Sequence, residues 1–121
     1  EDIVPSIEID ADITLSDANH SLARELSMLE PMGYGNEEPM LGAKRLEVVS
    51  PRVVGNNHLK MRLKQGSQSL DAIGFDLAEQ GIKLLEDSSA VKVDAAFSLG
   101  INEYNGNKNL QLNIKAFRYS S

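Results

Sequence analysis

The 121-residue sequence contains no cysteine, so neither disulfide bonds nor thiolate metal ligands can stabilise its fold. Stability must come from packing, and a chain of this length can form one domain with a hydrophobic core. The sequence also lacks an apolar run long enough to span a membrane and an N-terminal secretion signal. The absence of cysteine leaves the redox compartment open but suits a reducing cytosol, and we expect a cytoplasmic protein with no membrane partner. Because the first residue is Glu1 rather than Met, we expect the chain to be a piece of a longer protein.

Positive charge is scarce as well, with 12 Lys and Arg against 18 Asp and Glu and a net charge of −6. Taken whole, this acidity opposes binding to nucleic acid. The charge is unevenly distributed, however, because residues 1–43 carry ten acidic residues and only Arg24 as a base, which gives −9. Residues 44–121 carry eleven bases and eight acids, which gives +3. The acidity belongs to the N-terminal third, and the remainder of the chain is compatible with phosphate binding.

The N-terminal third is predicted to form a strand and a helix. Apolar and polar residues alternate over residues 7–15, which is the period of a strand with one buried face. Ser16 or Asp17 can cap a helix, because a short side-chain oxygen there accepts a hydrogen bond from a free amide of the first turn. Leucines at helical spacing continue this helix to about Glu30, where the Gly- and Pro-rich residues 31–42 end it.

The remaining sequence has the pattern of a mainly β domain. Five segments read as strands, and Pro51 in the first of them predicts a bend or bulge. Residues 76–86 have weak helical spacing, and the polar residues 100–109 predict a loop. Five strands with a short helix between the third and the fourth match the order of the OB-fold, a partly open Greek-key barrel. The predicted strands cover residues 46–54, 58–64, 69–75, 91–99 and 110–116.

The second of these strands is the strongest candidate for a binding surface. Basic and apolar residues alternate from residue 58 to residue 64, so the bases share one face of the strand. In OB-folds the second and third strands and the loops after the first and fourth strands bind oligonucleotides, with cations along the phosphates and aromatic rings stacked on bases. The alternative is that these charges only solvate the outer face of a sheet. The predicted DNA-binding residues are Arg52, His58, Lys60, Arg62, Lys64, Tyr104 and Lys108.

Three aromatic residues bear on this prediction. Tyr104 lies in the polar segment 100–109, where it can stack on a base or fold back to close the end of the barrel. Folding back is the commoner fate of a lone loop tyrosine. Phe75 and Phe97 are predicted to share the inward face of their strands and to belong to the core.

Other motifs do not predict catalysis. Gly33-Tyr34-Gly35 lacks the third glycine of a dinucleotide-binding loop and follows a helix rather than a strand. His20 and His58 do not have the spacing of a metal site. Asp10 and Asp12 share the polar face of the first predicted strand, and two solvated carboxylates explain them. We therefore expect no catalytic residue, metal or cofactor in this chain.

Four blocks of sequence resemble the C-terminal OB domain of RecJ-type exonucleases. The first is similar to the Pro-x-Gly-x-Gly-Asn-x-x-Pro segment that leads into that domain, and the others follow in the family's order. The resemblance extends from about Ile9 to Phe117. The blocks are Pro31-Met32-Gly33-Tyr34-Gly35-Asn36-Glu37-Glu38-Pro39, Val54-Gly55 with His58-Leu59-Lys60, Asp71-Ala72-Ile73-Gly74-Phe75, and Asn102-Glu103-Tyr104-Asn105-Gly106 with Leu110-Gln111-Leu112.

The resemblance implies a function for the longer protein. RecJ-like enzymes degrade single-stranded DNA from the 5′ end in repair and recombination, with Mg²⁺ or Mn²⁺ bound by an N-terminal catalytic core. This chain is then the module that binds single-stranded DNA and completes the substrate channel. The alternative is a structural or protein-interaction domain that braces the catalytic core or docks repair proteins.

The same resemblance predicts three segments. Residues 1–30 form a leader strand and linker helix, the tail of the preceding domain. Residues 31–42 form a linker loop with Gly33 and Gly35 as a hinge. Residues 43–121 form the OB-fold domain.

Overall fold

The computed structural model describes residues 9, 11–27, 40–86 and 91–120. Neither helix in this part of the chain is long and apolar enough to cross a membrane. The helices and strands are β1 (Ala11–Asp12), α1 (His20–Ser27), β2 (Leu41–Val54), β3 (His58–Gln65), β4 (Gln68–Gly74), α2 (Ile82–Glu86), β5 (Lys92–Tyr104) and β6 (Asn107–Tyr119).

Strands β2 to β6 form a closed barrel. Hydrogen-bonded neighbours follow the order β2-β3-β4-β6-β5, and β5 pairs with β2 to complete the ring. The β4–β6 pair is parallel, whereas the other pairs in the ring are antiparallel. Helix α2 lies between the third and fourth barrel strands along the chain. The predicted OB-fold and the position of its helix are therefore confirmed.

The interior of the barrel is filled by the alternating apolar side chains. On β3, Leu59, Met61 and Leu63 are at most 1% exposed, and Phe97 on β5 is fully buried as predicted. Burying one such side chain contributes about 1.5–3 kcal/mol, so packing can stabilise a chain without disulfides. The core cluster consists of Leu15, Leu41, Ala43, Leu46, Leu59, Met61, Leu63, Ala72, Leu84, Val93, Ala95, Phe97, Leu112 and Ile114.

Strand β2 is bent at two bulges. Its first half pairs with β5 and its second half with β3. The register shifts between Ala43 and Leu46 and again between Val49 and Arg52. The second shift contains Pro51, so the predicted bend is confirmed. Bulges bend a strand and increase its twist, which allows β2 to pair with both of its neighbours in the ring.

The prediction that residues 100–109 form a polar loop is wrong, because they belong to a hairpin. Strand β5 continues to Tyr104 and β6 begins at Asn107. Asn105 and Gly106 have φ values of 52° and 80°, as in the two-residue turn that favours Asn-Gly between antiparallel strands. Most side chains of the two arms near the turn are exposed. Strands solvated on both faces need no apolar alternation, so the pattern gave no strand signal.

The N-terminal segment packs against the barrel but is less regular than predicted. Of residues 7–15, only Ala11 and Asp12 form a strand within the described part. Ile9 and Ala11 lie on the face predicted to be buried, yet both are exposed. Leu15 does join the core, and its amide donates a hydrogen bond of 2.8 Å to the side chain of a barrel residue, Gln65.

The predicted cap of α1 is also wrong. Helix α1 begins after Asn19, whose Oδ1 accepts a hydrogen bond of 2.8 Å from the amide of Leu22. Asp17 instead accepts hydrogen bonds from the amide and the hydroxyl of Thr14, each at 3.1 Å. Asp17 therefore closes a turn before the helix, and Ser16 donates to or accepts from the same threonine hydroxyl.

Three further predictions concern residues 28–39, which lie outside the described part of the chain. They are the helix end near Glu30, the hinge at Gly33 and Gly35, and the linker over residues 31–42. Strand β2 begins at Leu41, two residues before the predicted start of the OB-fold domain. The division into three segments stays a prediction.

A polar cluster joins the end of the barrel to the first bulge of β2. Asp94 on β5 accepts hydrogen bonds from the Ser120 hydroxyl at 2.6 Å, the Arg45 amide at 3.0 Å and the Arg118 side chain at 3.2 Å. Burial alone would raise the pKa of Asp94, but these hydrogen bonds and the Arg118 charge outweigh burial and hold that pKa below its ordinary value. The ionised carboxylate thus links β2, β5 and the residue after β6.

Candidate nucleic-acid interface

Four basic residues form a row on the outer face of the barrel. They occupy alternate positions of β3, and the residues between them fill the core. Arg62 and Lys64 are exposed, whereas His58 and Lys60 are partly buried. The period of the strand therefore places all four side chains on the same side of the sheet.

Acidic residues lie beside one half of this row. Arg62 forms an ion pair with Asp71 on β4 at 2.7 Å, and its Nε donates a hydrogen bond of 3.0 Å to Ser69. Lys64 lies directly opposite Glu47 on β2 in the strand register. We call these five residues the paired half of the face. A phosphate that approached this half would meet two carboxylates.

In the other half of the row, no described acidic residue lies directly opposite in the strand register. The carboxylate of Asp76, whose side chain is 79% exposed, lies 4.0 Å from Nδ1 of His58. Lys60 lies between Arg52 on β2 and Ile73 on β4. The side chain of Arg52 is exposed and donates one hydrogen bond of 3.0 Å to the carbonyl of Ser50. In the part of the chain that the structure describes, the Lys60 ammonium has no ion-pair or hydrogen-bond partner. We call Arg52, His58, Lys60, Ile73 and Phe75 the open half of the face.

The prediction that Phe75 belongs to the core is wrong. Phe75 directly follows β4 and is 56% exposed. Its ring makes a T-shaped contact with the ring of His58, with centroids 5.2 Å apart and an interplanar angle of 75°. Nδ1 of His58 accepts a hydrogen bond of 3.1 Å from the amide of Asp76. The open half therefore contains an exposed aromatic ring as well as the two cations Arg52 and Lys60.

The sequence did contain a signal for this position. Phe75 has the same parity along β4 as Asp71 and Ile73, whereas Ala72 and Gly74 are the buried positions. A carboxylate rarely faces a core, so the position of Asp71 indicates that Phe75 points outward. The apolar character of phenylalanine alone led to the opposite prediction.

The remaining predicted site residues lie on the β5–β6 hairpin. Lys108 is exposed and directly opposite Glu103 in the register. The side chain of Tyr104 lies outside the described part of the structure. Because β6 runs parallel to β4, the hairpin lies toward the Lys64 end of the face and away from His58. The predicted residues therefore occupy two ends of one surface rather than a single cluster.

The described residues do not fit a catalytic metal site. Within residues 9, 11–27, 40–86 and 91–120, no group of three His, Asp or Glu side chains is arranged to hold a metal ion. Two-metal hydrolysis requires clustered ligands that bind both ions. The chemistry that this surface supports is binding.

Comparisons with known proteins agree with the barrel. The sequence model of the RecJ OB domain matches residues 9–116. The chain is 34% identical over 107 residues to the single-stranded-DNA-specific exonuclease RecJ of Haemophilus influenzae, covering 85% of this chain and 18% of that protein. It is 30% identical over 117 residues to the RecJ of Bacillus subtilis, covering 95% of this chain and 14% of that protein. The chain thus spans less than a fifth of the length of these relatives.

A solved structure supports the same assignment. RecJ from Thermus thermophilus, determined in complex with Mn²⁺, superposes with a TM-score of 0.58 at 27% identity, covering 83% of this chain and 14% of that chain. The strand order, the helix position and the matched residues all agree with an OB domain of the RecJ type. The chain belongs to the family of RecJ OB domains.

Proposed function

We propose that this chain is the single-stranded-DNA-binding module of a RecJ-like exonuclease, and that DNA lies on the open half of the face. The observation that carries the proposal is the pair of Arg52 and Lys60, two cations opposite each other on neighbouring strands with no acidic residue in register. Cations in such a groove follow the phosphates of a single strand. The relatives are named as exonucleases specific for single-stranded DNA, which supports this ligand.

Hydrolysis is assigned to another part of the longer protein. The RecJ of Thermus thermophilus was solved with Mn²⁺, whereas the described residues of this chain fit no such site. The catalytic core of the parent would bind Mg²⁺ or Mn²⁺ and cleave from the 5′ end. The module would hold the strand and complete the channel that leads to that core, in DNA repair and recombination in the cytoplasm.

Salt dependence tests this proposal. In the full-length protein that contains this chain, the Arg52→Ala/Lys60→Ala variant should bind single-stranded oligonucleotides more weakly than the wild type. Each lost phosphate contact reduces the log–log salt slope by about 0.7, so the slope should fall by about 1.4. The dissociation constant is measured across a salt series by fluorescence anisotropy.

The matched control is Lys64→Ala/Lys108→Ala, which removes the same charge from the end where Glu47 and Glu103 lie opposite the lysines. Its salt slope should stay close to that of the wild type. Unchanged affinity and slope in the Arg52→Ala/Lys60→Ala variant would instead favour a domain that braces the catalytic core or docks another protein.

A further inference from the structure

An exposed aromatic ring lies in the same half of the face as the two cations of the proposed interface. We propose that the ring of Phe75, held by His58, stacks on one unpaired base of single-stranded DNA while Arg52 and Lys60 contact the neighbouring phosphates. The inference rests on the proposed function, because the same face must carry DNA. It adds a base subsite to the two phosphate contacts of the proposed function.

The exposure of Phe75 differs sharply from that of the other core candidate. Phe75 is 56% exposed, whereas Phe97 is fully buried. A single exposed apolar residue is common on protein surfaces, so exposure alone does not define a site. Phe75 differs from such a residue in its surroundings, because it belongs to the open half of the face, where Arg52 and Lys60 have no acidic residue opposite them in register.

The ring of His58 is fixed from two sides. Its Nδ1 accepts the hydrogen bond from the amide of Asp76, the residue after Phe75. Gly55, with φ of 61°, passes so close that a Cβ there would lie 3.1 Å from Cδ2 of His58. His58 in turn packs against Phe75 at 5.2 Å between centroids. An aromatic ring that is ordered before binding loses little conformational freedom when a base stacks on it.

The cations lie within reach of the same nucleotide. Lys60 follows His58 on the outward side of β3, about 6.7 Å farther along the strand, and Arg52 is its partner on β2. In the paired half, Arg62 already forms an ion pair with Asp71 at 2.7 Å. Among the described residues, the open half is therefore the part of the β3 row that combines available positive charge with an exposed aromatic ring.

The occupant that fits this subsite is an unpaired base. In a duplex each base is covered by its neighbours in the stack, whereas a single strand can present the face of a base to a protein ring. Stacking on an aromatic residue tolerates any base, because every base has a π-face. The subsite would therefore distinguish single strands from duplexes without reading sequence.

The experiment compares substitutions of Phe75 in the full-length protein. Phe75→Leu retains an apolar side chain but removes the aromatic ring, and Phe75→Trp retains the ring. Phe75→Leu should weaken binding of single-stranded oligonucleotides about 5- to 150-fold, the range for loss of one stacked base, with an unchanged salt slope. Phe75→Trp should bind at least as tightly as the wild type. The matched control is Ile82→Ala, which truncates another exposed apolar residue, 47% exposed on α2.

A second probe separates stacking from other effects. On an oligomer that has the sugar–phosphate backbone but no bases, Phe75→Leu and the wild type should bind equally. Wild-type affinity of Phe75→Leu for the normal oligonucleotide, or an equal loss on both probes, overturns the stacking subsite. If the Arg52→Ala/Lys60→Ala variant still weakens binding in that case, the proposed function stands and only the base subsite fails.

Discussion

The ion pair between Arg62 and Asp71 limits how much of the basic row DNA can use. The two side chains meet at 2.7 Å and are 49% and 43% exposed. Water screens a pair this exposed, so it stabilises the fold by less than about 1 kcal/mol. Its effect on binding is greater, because a phosphate must compete with a carboxylate that is already in contact with the guanidinium.

Removing this carboxylate should strengthen DNA binding. We expect Asp71→Asn in the full-length protein to lower the dissociation constant for single-stranded DNA and to steepen the log–log salt slope by about 0.7, equivalent to one new phosphate contact. The matched control is Glu103→Gln on the hairpin, which changes the net charge equally. If both variants bind alike, the gain reflects total charge and Arg62 does not contact DNA.

The sequence could have predicted the strand register close to each turn but not beyond the bulge of β2. Gly66 and Ser67 form a two-residue turn, and counting outward from it places Arg62 opposite Asp71, as observed. Arg52 and Lys60 lie on the turn side of the bulge in β2, so counting outward from residues 55–57 also places them opposite each other. Glu47 and Lys64 lie beyond that bulge, and counting alone would place Val48 opposite Lys64 instead. The position of the bulge depends on how β2 pairs with β5 as well as with β3.

Among the elements, the β5–β6 hairpin shows how turn chemistry can outweigh apolar periodicity. Its arms carry few apolar residues, so alternation predicts a loop. The Asn105-Gly106 turn was the stronger local signal, because both residues adopt the positive φ that this turn requires. Barrel closure, in contrast, followed correctly from the number and order of the strands.

A side chain at the second turn position should loosen the hairpin locally. Nothing lies within 4 Å of a Cβ built at Gly106, where φ is 80°, so Gly106→Ala introduces backbone strain without a clash. The strain costs about 1–2 kcal/mol, and we expect amide protection in the arms to fall about 5- to 30-fold. Hydrogen–deuterium exchange measures the protection of these amides. Gly106→Asn should lose less protection, because asparagine tolerates positive φ.

For the whole molecule, the ionised carboxylate of Asp94 makes part of the stability of the barrel depend on pH, because it joins β5 to β2 where the barrel closes. Its carboxylate is 17% exposed and accepts hydrogen bonds from both the bulge of β2 and the end of the chain. The folded-state pKa of Asp94 lies below the ordinary value of 3.8. Its contribution to stability is therefore complete above the unfolded-state pKa and is lost as the pH falls through the folded-state pKa.

Replacing Asp94 should remove this part of the pH dependence. Asp94→Asn should lower the free energy of unfolding at neutral pH by about 1–3 kcal/mol, the cost of losing hydrogen bonds to a charged group. The gap between variant and wild type should narrow as the pH falls below the ordinary pKa of 3.8. Urea unfolding at several pH values measures the gap, with Glu79→Gln as the control at an exposed position. A gap that remains constant in acid would show that the charge of Asp94 is not responsible.

The order of strands in the ring also constrains when the chain can fold. Strand β6 is the last along the sequence, yet it lies between β4 and β5, and Leu41 near the start of the barrel must pair with Phe97. Such distant pairings slow folding to about milliseconds or seconds. During synthesis, a chain that ends before β6 exposes one edge of β4 and one edge of β5, and unpaired edges can join other chains. The final strand thus protects the nascent protein from aggregation as well as completing the barrel.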